Sequence, residues 1–390
     1  MLGVGIIIPV FAPLLIRNEH GMLSAAYSQE TRNLIYGILT ATFPFFQFFG
    51  SPILGTLSDG YGRKRILQIT LVGTCIGYLF FASAIEYRSL FLLFLARAIP
   101  GFMGGNISIV MATLADFSAP ADRAKNFGLV GMAFGLGFIL GPFLGGVLSS
   151  ADVCPWFTYS TPIWFTASLT VLNIVFVYRQ FPALAPAANA VRNWSLLTGF
   201  SNLRRALFMH NLRSLFVTLF LYSLGFSFFM QFFQVFLIRK FNFSQKEIGF
   251  FFGYIGLWIA FTQGVITRLL SGRFRSASIL RLSFLGLSIF LGLLILPDEF
   301  TWLMLLQPFI AICQGLSLPN TTGLISNMAS ADQQGEILGI QQSVQSLAFM
   351  IPPVVAGIAV SIDFRLPMIL ASAFVFSAWL FFLTQYRSRN

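Results

Sequence analysis

One charge stands where charges are costly. Arg97 falls within the apolar run 90–115 of this 390-residue chain, and no Asp or Glu shares that run. An arginine at such depth normally faces a bundle interior or a wet cavity. It serves there either as counter-ion to a solute or as donor to carbonyls of a neighbouring helix, and the residues alone leave both open. Amides form the second chemical set. Gln231 and Gln234 lie one turn apart among Phe228, Phe229, Phe232 and Phe233. Gln307 and Gln314 are seven apart, with Asn320 beyond; Gln341 and Gln345 share a helix face, and Asn106 follows Arg97 in the same run. Neutral amides among phenylalanines suit a cavity for an uncharged or zwitterionic, partly aromatic solute. Any one of them reads equally as an interhelical hydrogen bond worth ~0.6 kcal/mol. A catalytic site would need His, Asp, Glu or Cys grouped at that depth, and no such group is present. Cys75, Cys154 and Cys313 are too scattered for a metal or a disulfide framework. No enzyme activity, cofactor or metal is expected, and His210 reads as a lone solvated or interfacial residue.

The elements that position these residues follow from composition. Apolar residues make up 56 % of the chain and charged ones 9 %, with a mean hydropathy of +0.80, against about 25 % charged in soluble domains. The net charge of +11 does not point to nucleic acid, because the basic residues stand in short tracts between apolar runs. The partners are a bilayer and a small solute. A span needs about 20 residues, and twelve runs qualify: 1–16, 34–57, 66–85, 90–115, 127–150, 162–178, 214–238, 247–270, 279–296, 301–326, 337–361 and 367–386. The first rises only ~24 Å against a ~30 Å core, so it reads as a first helix cut short by truncation or a misassigned start. With both termini cytoplasmic, inside tracts hold 16 of the 24 Lys and Arg and outside tracts 7, as the positive-inside bias requires. Arg32 counts among the outside seven.

The predicted fold is an all-α polytopic membrane protein of twelve helices in two pseudo-symmetric six-helix bundles. Residues 1–178 form the first and 214–390 the second, with 179–213 as a cytoplasmic linker. Within the linker, Trp194 to Phe208 reads as an amphipathic piece lying on the membrane surface. The halves repeat at an offset of about 210: Ser118–Arg123 before Phe127-Gly128 matches Ala329–Gln333 before Leu338-Gly339. Phe138–Pro142 likewise matches Phe349–Pro353, and Gly146 matches Gly357. Duplicated bundles with a midplane site are a transporter architecture.

Two motifs carry a family resemblance. Gly55-Thr56-Leu57-Ser58-Asp59-Gly60-Tyr61-Gly62-Arg63-Lys64-Arg65 resembles the G-x-L-x-D-x-x-G-R-[KR] signature of the major facilitator superfamily. Gly55 permits close helix approach and Gly62 a tight turn. The resemblance implies that Asp59, with Arg63 and Lys64, latches one state of the carrier; the second half offers only Ser271-Gly272-Arg273-Phe274-Arg275. In the fifth run, Gly137, Gly141-Pro142 and Gly145-Gly146 resemble the G-x-x-x-G-P-x-x-G-G element of its antiporter branch. Gly3–Val10 is similar to the first helix of tetracycline-type drug efflux pumps. The resemblance implies multidrug or tetracycline-like efflux by a monomer in a bacterial inner membrane, with protons as coupling ion. Against that last point, the branch's buried aspartates of the third and ninth helices are missing from 66–85 and 279–296, and the first-helix position would precede Met1. Arg97 stays charged and cannot relay protons in their place. An importer or facilitator of a small metabolite or siderophore is the alternative.

Overall fold

A bilayer core offers no hydrogen-bond partner, so each span must close its own backbone bonds. The computed structural model describes residues 2–16, 22–117, 123–182, 198–209, 212–271, 273–296, 298–328 and 334–386. Helices α1 (Leu2–Ile16), α2 (Gln29–Tyr61), α3 (Arg63–Glu86), α4 (Leu90–Met103), α5 (Asn106–Phe117), α6 (Arg123–Leu148) and α7 (Thr161–Gln180) precede the short α8 (Thr198–Phe208). Then follow α9 (Arg213–Phe241), α10 (Gln245–Phe261), a π turn (Thr262–Ile266), α11 (Thr267–Ser271), α12 (Ser276–Leu293), α13 (Phe300–Asn327), α14 (Gln334–Ile362) and α15 (Leu366–Gln385). No strand occurs among the described residues. Ten stretches among them are long and apolar enough to cross a membrane, and α1 and α6, of 15 and 26 residues, complete twelve spans.

Local chemistry sets the helix ends. The Ser28 hydroxyl accepts the Thr31 N–H at 3.2 Å, and Ser244 and Glu247 form a reciprocal capping box at the start of α10. Gly62 stands between α2 and α3 at φ 95°, a conformation that excludes most other residues. The run 90–115 is not one continuous helix. It breaks at Gly104-Gly105, where α2 presses in so closely that a Cβ on Gly105 would lie 2.6 Å from the Gly50 carbonyl carbon.

Two junctions join the first six spans to the last six. At one, α2 meets α14: a Cβ on Gly357 would lie 2.7 Å from Asn33 O and 3.3 Å from Gly37 Cα. At the other, α6 meets α10: a Cβ on Gly249 would lie 2.8 Å from Gly146 Cα and from Pro142 O. Gly37 and Gly249 stand 212 positions apart, and Gly146 and Gly357 stand 211 apart. The same contact is therefore made twice, with the halves exchanged, at the offset seen in the sequence. The repeat segments 118–122 and 329–333 lie outside the described residues.

Both contacts fall at one end of the molecule, the end at which α2 and α10 begin. At the opposite end, α8 packs against α14, α2 and α9. Gly199 abuts the Phe48 ring, where an added Cβ would come to 2.8 Å, and Asn202 Nδ2 donates to Ser343 Oγ on α14 at 3.1 Å. Phe48 precedes the end of α2 by 13 residues, about 20 Å along the axis. α8 starts in the crevice between α2 and α14, where its glycine lets the Phe48 ring seat against backbone. Trp194, Arg192 and the rest of 183–197, with Arg17, His210, Gly272, Arg387 and Arg389, lie outside the described residues.

Arg32, at the start of α2, is buried within the protein. It is 2 % exposed, and its guanidinium donates to the carbonyls of Leu15 (3.4 Å), Leu23 (3.5 Å), Ser24 (2.7 Å) and Tyr27 (3.3 Å). It ties the end of α1 and the following loop to α2, satisfying carbonyls that no helix partner reaches.

Candidate functional site

Arg97 projects from α4 towards α2 and α1. Its Nε donates to the Leu39 carbonyl at 3.4 Å, and its guanidinium lies between the rings of Phe11 (5.2 Å) and Phe43 (5.1 Å). The two rings attract the cation through their π faces. The side chain stays half-buried, and of its five N–H donors the Leu39 bond uses one among the described residues. The geometry thus carries both chemistries at once: a carbonyl donor that fixes the residue, with further donors left for an anionic or polar group.

Three residues along α2, Tyr36 stands where the halves meet. Its hydroxyl donates to the Gln231 carbonyl at 2.6 Å and accepts from Gln234 Nε2 at 2.7 Å. Its ring packs edge-on against Phe232 at 5.1 Å. Gln231 also donates to Ser227 Oγ and, at 3.2 Å, to the Phe349 carbonyl on α14. Both glutamines of α9 are thereby engaged in holding α2, α9 and α14 together. Tyr36 went unnoticed in the sequence because nothing separates it there from other interfacial tyrosines.

The remaining amides behave differently. Gln307 on α13 is 0 % exposed, with neither amide atom hydrogen-bonded among the described residues. Gln341 donates to Thr322 Oγ1 at 2.8 Å but leaves its own oxygen unmatched, as do Gln234 and Gln314. Ser223 on α9 and Ser346 on α14 add unmatched hydroxyls. Gln345 and Asn106 are half-buried, Asn106 directly after the break between α4 and α5. Asn320 turns back to its own helix, donating to Leu316 O at 2.8 Å. An unmatched amide in an apolar medium costs ~1–3 kcal/mol. These groups concentrate in the last six spans; in α1–α7 the corresponding atom is Ser51 Oγ.

At the α2–α3 turn Asp59 forms an ion pair with Arg63, whose Nη1 also reaches Ser58 Oγ at 2.7 Å. The Asp59 carboxylate is 47 % exposed. Lys64 lies over the Tyr178 ring of α7 at 5.9 Å. Gly55 makes only ordinary contact, a Cβ there lying 3.6 Å from Ser108 Oγ; the close crossing with α4 and α5 is made by Gly50 and Gly105 instead.

The glycine motif of α6 turns out to be two-sided. Gly137, Gly141 and Gly145, spaced by four, line α1: a Cβ on Gly141 would lie 2.7 Å from Gly5 Cα, one on Gly5 would lie 2.6 Å from Gly137 O, and Gly145 abuts Ile6 O. Pro142 and Gly146 face α10 across the junction, where Phe143 and Phe250 meet edge-on at 5.5 Å. Small residues at four-residue spacing let backbones approach in just this way.

A family model for the Major Facilitator Superfamily matches residues 1–298 and 215–390. The chain belongs to that superfamily. It is accordingly an integral, multi-pass membrane transporter rather than an enzyme. It is 27 % identical over 356 residues to the class E tetracycline resistance protein of Escherichia coli, covering 91 % of this chain and 83 % of the relative. It is 30 % identical over 351 residues to major facilitator superfamily domain-containing protein 10 of Bos taurus, covering 84 % and 73 %. The crystal structure of the human organic anion transporter MFSD10 (TETRAN) superposes with a TM-score of 0.78 at 22 % identity, covering 98 % of this chain and 95 % of that one. The D-xylose-proton symporter gives 0.74 at 14 % identity, covering 99 % and 96 %. The fold of the transporter is thus two six-helix bundles, all helical, as the superfamily has it.

Proposed function

We propose that this transporter exports a small amphipathic organic solute by alternating access between its halves, residues 1–178 and 214–390, joined by the linker 179–213. The observation that carries the proposal is the set of buried amide and hydroxyl atoms on α9, α13 and α14 that have no hydrogen-bond partner among the described residues, with Arg97 on the other half. The amides suit a neutral or zwitterionic partly aromatic body, and Arg97 suits an anionic group on it. The tetracycline resistance proteins among its relatives support efflux, and the organic anion transporter among its structural neighbours is in keeping with a role for Arg97. With both termini cytoplasmic, in a bacterial inner membrane, the end at which α2 and α10 begin faces outward. The conformation is then closed outside, with Asp59 on the cytoplasmic side, and the carrier works as a monomer.

None of the 13 acidic residues falls mid-span, which favours, as a second reading, an importer or facilitator of a small metabolite or siderophore that needs no proton antiport. Purified protein in liposomes separates the two. Uphill solute movement that collapses with the pH gradient supports proton-coupled export. Gradient-independent counterflow supports the facilitator, and no solute movement in either assay overturns both.

A further inference from the structure

The crossing that breaks α4 from α5 recurs in the second half, with the irregularity moved to the other helix. Gly50 and Gly105 meet where α2 crosses the α4–α5 break. At offsets of 212 and 210 from them stand Thr262 and Gly315. These two are also in contact, since a Cβ on Gly315 would lie 2.9 Å from Thr262 Cγ2. In the first half α2 runs unbroken through Gly50 and its partner breaks. In the second half α13 runs unbroken through Gly315, and α10 instead passes into the π turn Thr262–Ile266.

That turn is tied at its ends and open in its middle. Thr262 is wholly buried, and its hydroxyl donates to the Trp258 carbonyl at 2.7 Å. The Thr262 carbonyl accepts both the N–H of Thr267, five residues on, and the Thr267 hydroxyl at 3.0 Å. Between them Gly264 is exposed, and a Cβ there would meet nothing within 4 Å among the described residues. Before the turn, α10 is docked on α6 through Gly249. Beyond it, α11 packs only lightly among the described residues, and Leu269 is 59 % exposed. Ser271, the last residue of α11, stands 212 positions after Asp59. By the repeat, α11 belongs to the end of the molecule opposite the two glycine junctions.

A π turn holds one residue more than an α-helical turn, and helices kink where one is inserted. Contact with Gly315 accounts for the close crossing but not for an extra residue on the open side of α10. A joint accounts for both, because it needs a fixed point on one side and free space on the other, with a small residue to absorb the change in φ and ψ. We propose that Thr262–Ile266 is a hinge, about which α11 swings at the Asp59 end while α10 stays docked on α6. The movement lies within the second half. It is therefore distinct from the rocking of one half against the other, and it depends on neither the solute nor the direction of transport.

The test uses the full-length protein with Cys75, Cys154 and Cys313 replaced by alanine and spin labels at exposed positions. Leu380→Cys on α15 is the reference, paired with Leu269→Cys beyond the turn or with Leu257→Cys before it. In lipid nanodiscs, pulsed electron resonance should give two distances for the Leu269–Leu380 pair and one for the Leu257–Leu380 pair. Gly264→Ala has room for its methyl group and should shift the ratio of the two distances about fivefold, the preference of alanine over glycine in a helix. Deleting Gly264 takes out the extra residue, leaves the flanking helices in register, and should abolish the second distance. One narrow distance for both pairs overturns the hinge. Two distances for both overturn it too, because the whole of α10 would then move. A ratio indifferent to Gly264→Ala also overturns it, whether or not the deletion variant folds. Rocking between the halves alters neither pair, so a failed transport reading is not mistaken for a failed hinge.

Discussion

The α2–α14 and α6–α10 junctions are built from the same glycine pair yet differ in what surrounds it. Around Gly37 and Gly357 the contact is polar: Asn33 Nδ2 donates to Ser361 Oγ at 3.3 Å, and Tyr36 bridges to Gln231 and Gln234 nearby. Further along, α8 separates the same two helices. Around Gly146 and Gly249 the contact is apolar, backbone on backbone with Phe143 against Phe250. Hydrogen bonds are directional and are lost at a definite opening, whereas apolar packing tolerates sliding. The difference predicts a division of labour, in which the polar junction makes and breaks and the apolar one carries the halves past each other.

The largest blow to this comparison would come from dislodging α6, which carries the apolar junction on one face and packs on α1 with the other. Gly141→Leu puts a side chain where Gly5 Cα and Leu2 O already stand within 3 Å of a bare Cβ. Neither neighbour is a flexible side chain that can yield, and overpacking costs ~1–3 kcal/mol or more. The expected outcome is loss of monodisperse protein on size exclusion, or a marked fall in melting temperature. Normal yield with normal transport would show that α6 does not rely on close approach. Next in size, Arg97→Ala removes the charge behind the polar junction and leaves the apolar one intact. Hydrogen bonds to charged groups contribute ~1.5–3 kcal/mol, so transport should fall about 10- to 100-fold at unchanged membrane level. Wild-type flux would make the residue dispensable.

A subtler change separates the junctions directly. Tyr36→Phe keeps the ring against Phe232 but strips the hydroxyl from the Gln231 carbonyl and from Gln234, whose oxygen already lacks a partner. Leaving such groups unmatched costs ~1–3 kcal/mol, roughly a tenfold shift towards opening at that end. Spin labels at the start of α2 and the end of α14 should report the wider distance. Phe250→Ala on the apolar side should lower thermal stability without moving that distribution. Equal shifts from both variants would erase the proposed division.

Much of the fold was legible in the residues, for identifiable reasons. Span number followed from apolar run length, which bilayer thickness fixes, and the offset of about 210 foretold that Gly146 and Gly357 would be mates. The break at Gly104-Gly105 escaped because it is imposed by α2 from outside that run. Arg32 and Arg97 shared a residue type yet took different roles, one capping carbonyls around a loop, the other half-buried between two rings. Their distinction lies in which helices pass nearby, and linear order does not encode that. The partners of Gln231 and Gln234 were hidden for the same reason, since Tyr36 lies 195 and 198 positions away. Gln307 is wholly buried with no amide partner among the described residues, a setting that linear order does not encode either.

The smallest effect tests the loop rather than either junction. In this conformation Asp59 pairs, among the described residues, with Arg63 of its own turn, and its carboxylate is about half exposed. A pair so exposed contributes ~0–1 kcal/mol, so Asp59→Asn should barely alter the state seen here. If the latch reading holds, the carboxylate's larger role falls in the opposite conformation, where it would accept backbone N–H groups of the other half. The substitution then weakens only that opposite state and raises the population of the present one by up to about fivefold. Cysteines placed on the Asp59 end should become more reactive to impermeant thiol reagents, and those at the Gly37–Gly357 end less so. Unchanged reactivity at both ends would mean that Asp59 acts within its own turn alone, and that the asymmetry between the two junctions sets the conformational balance without it.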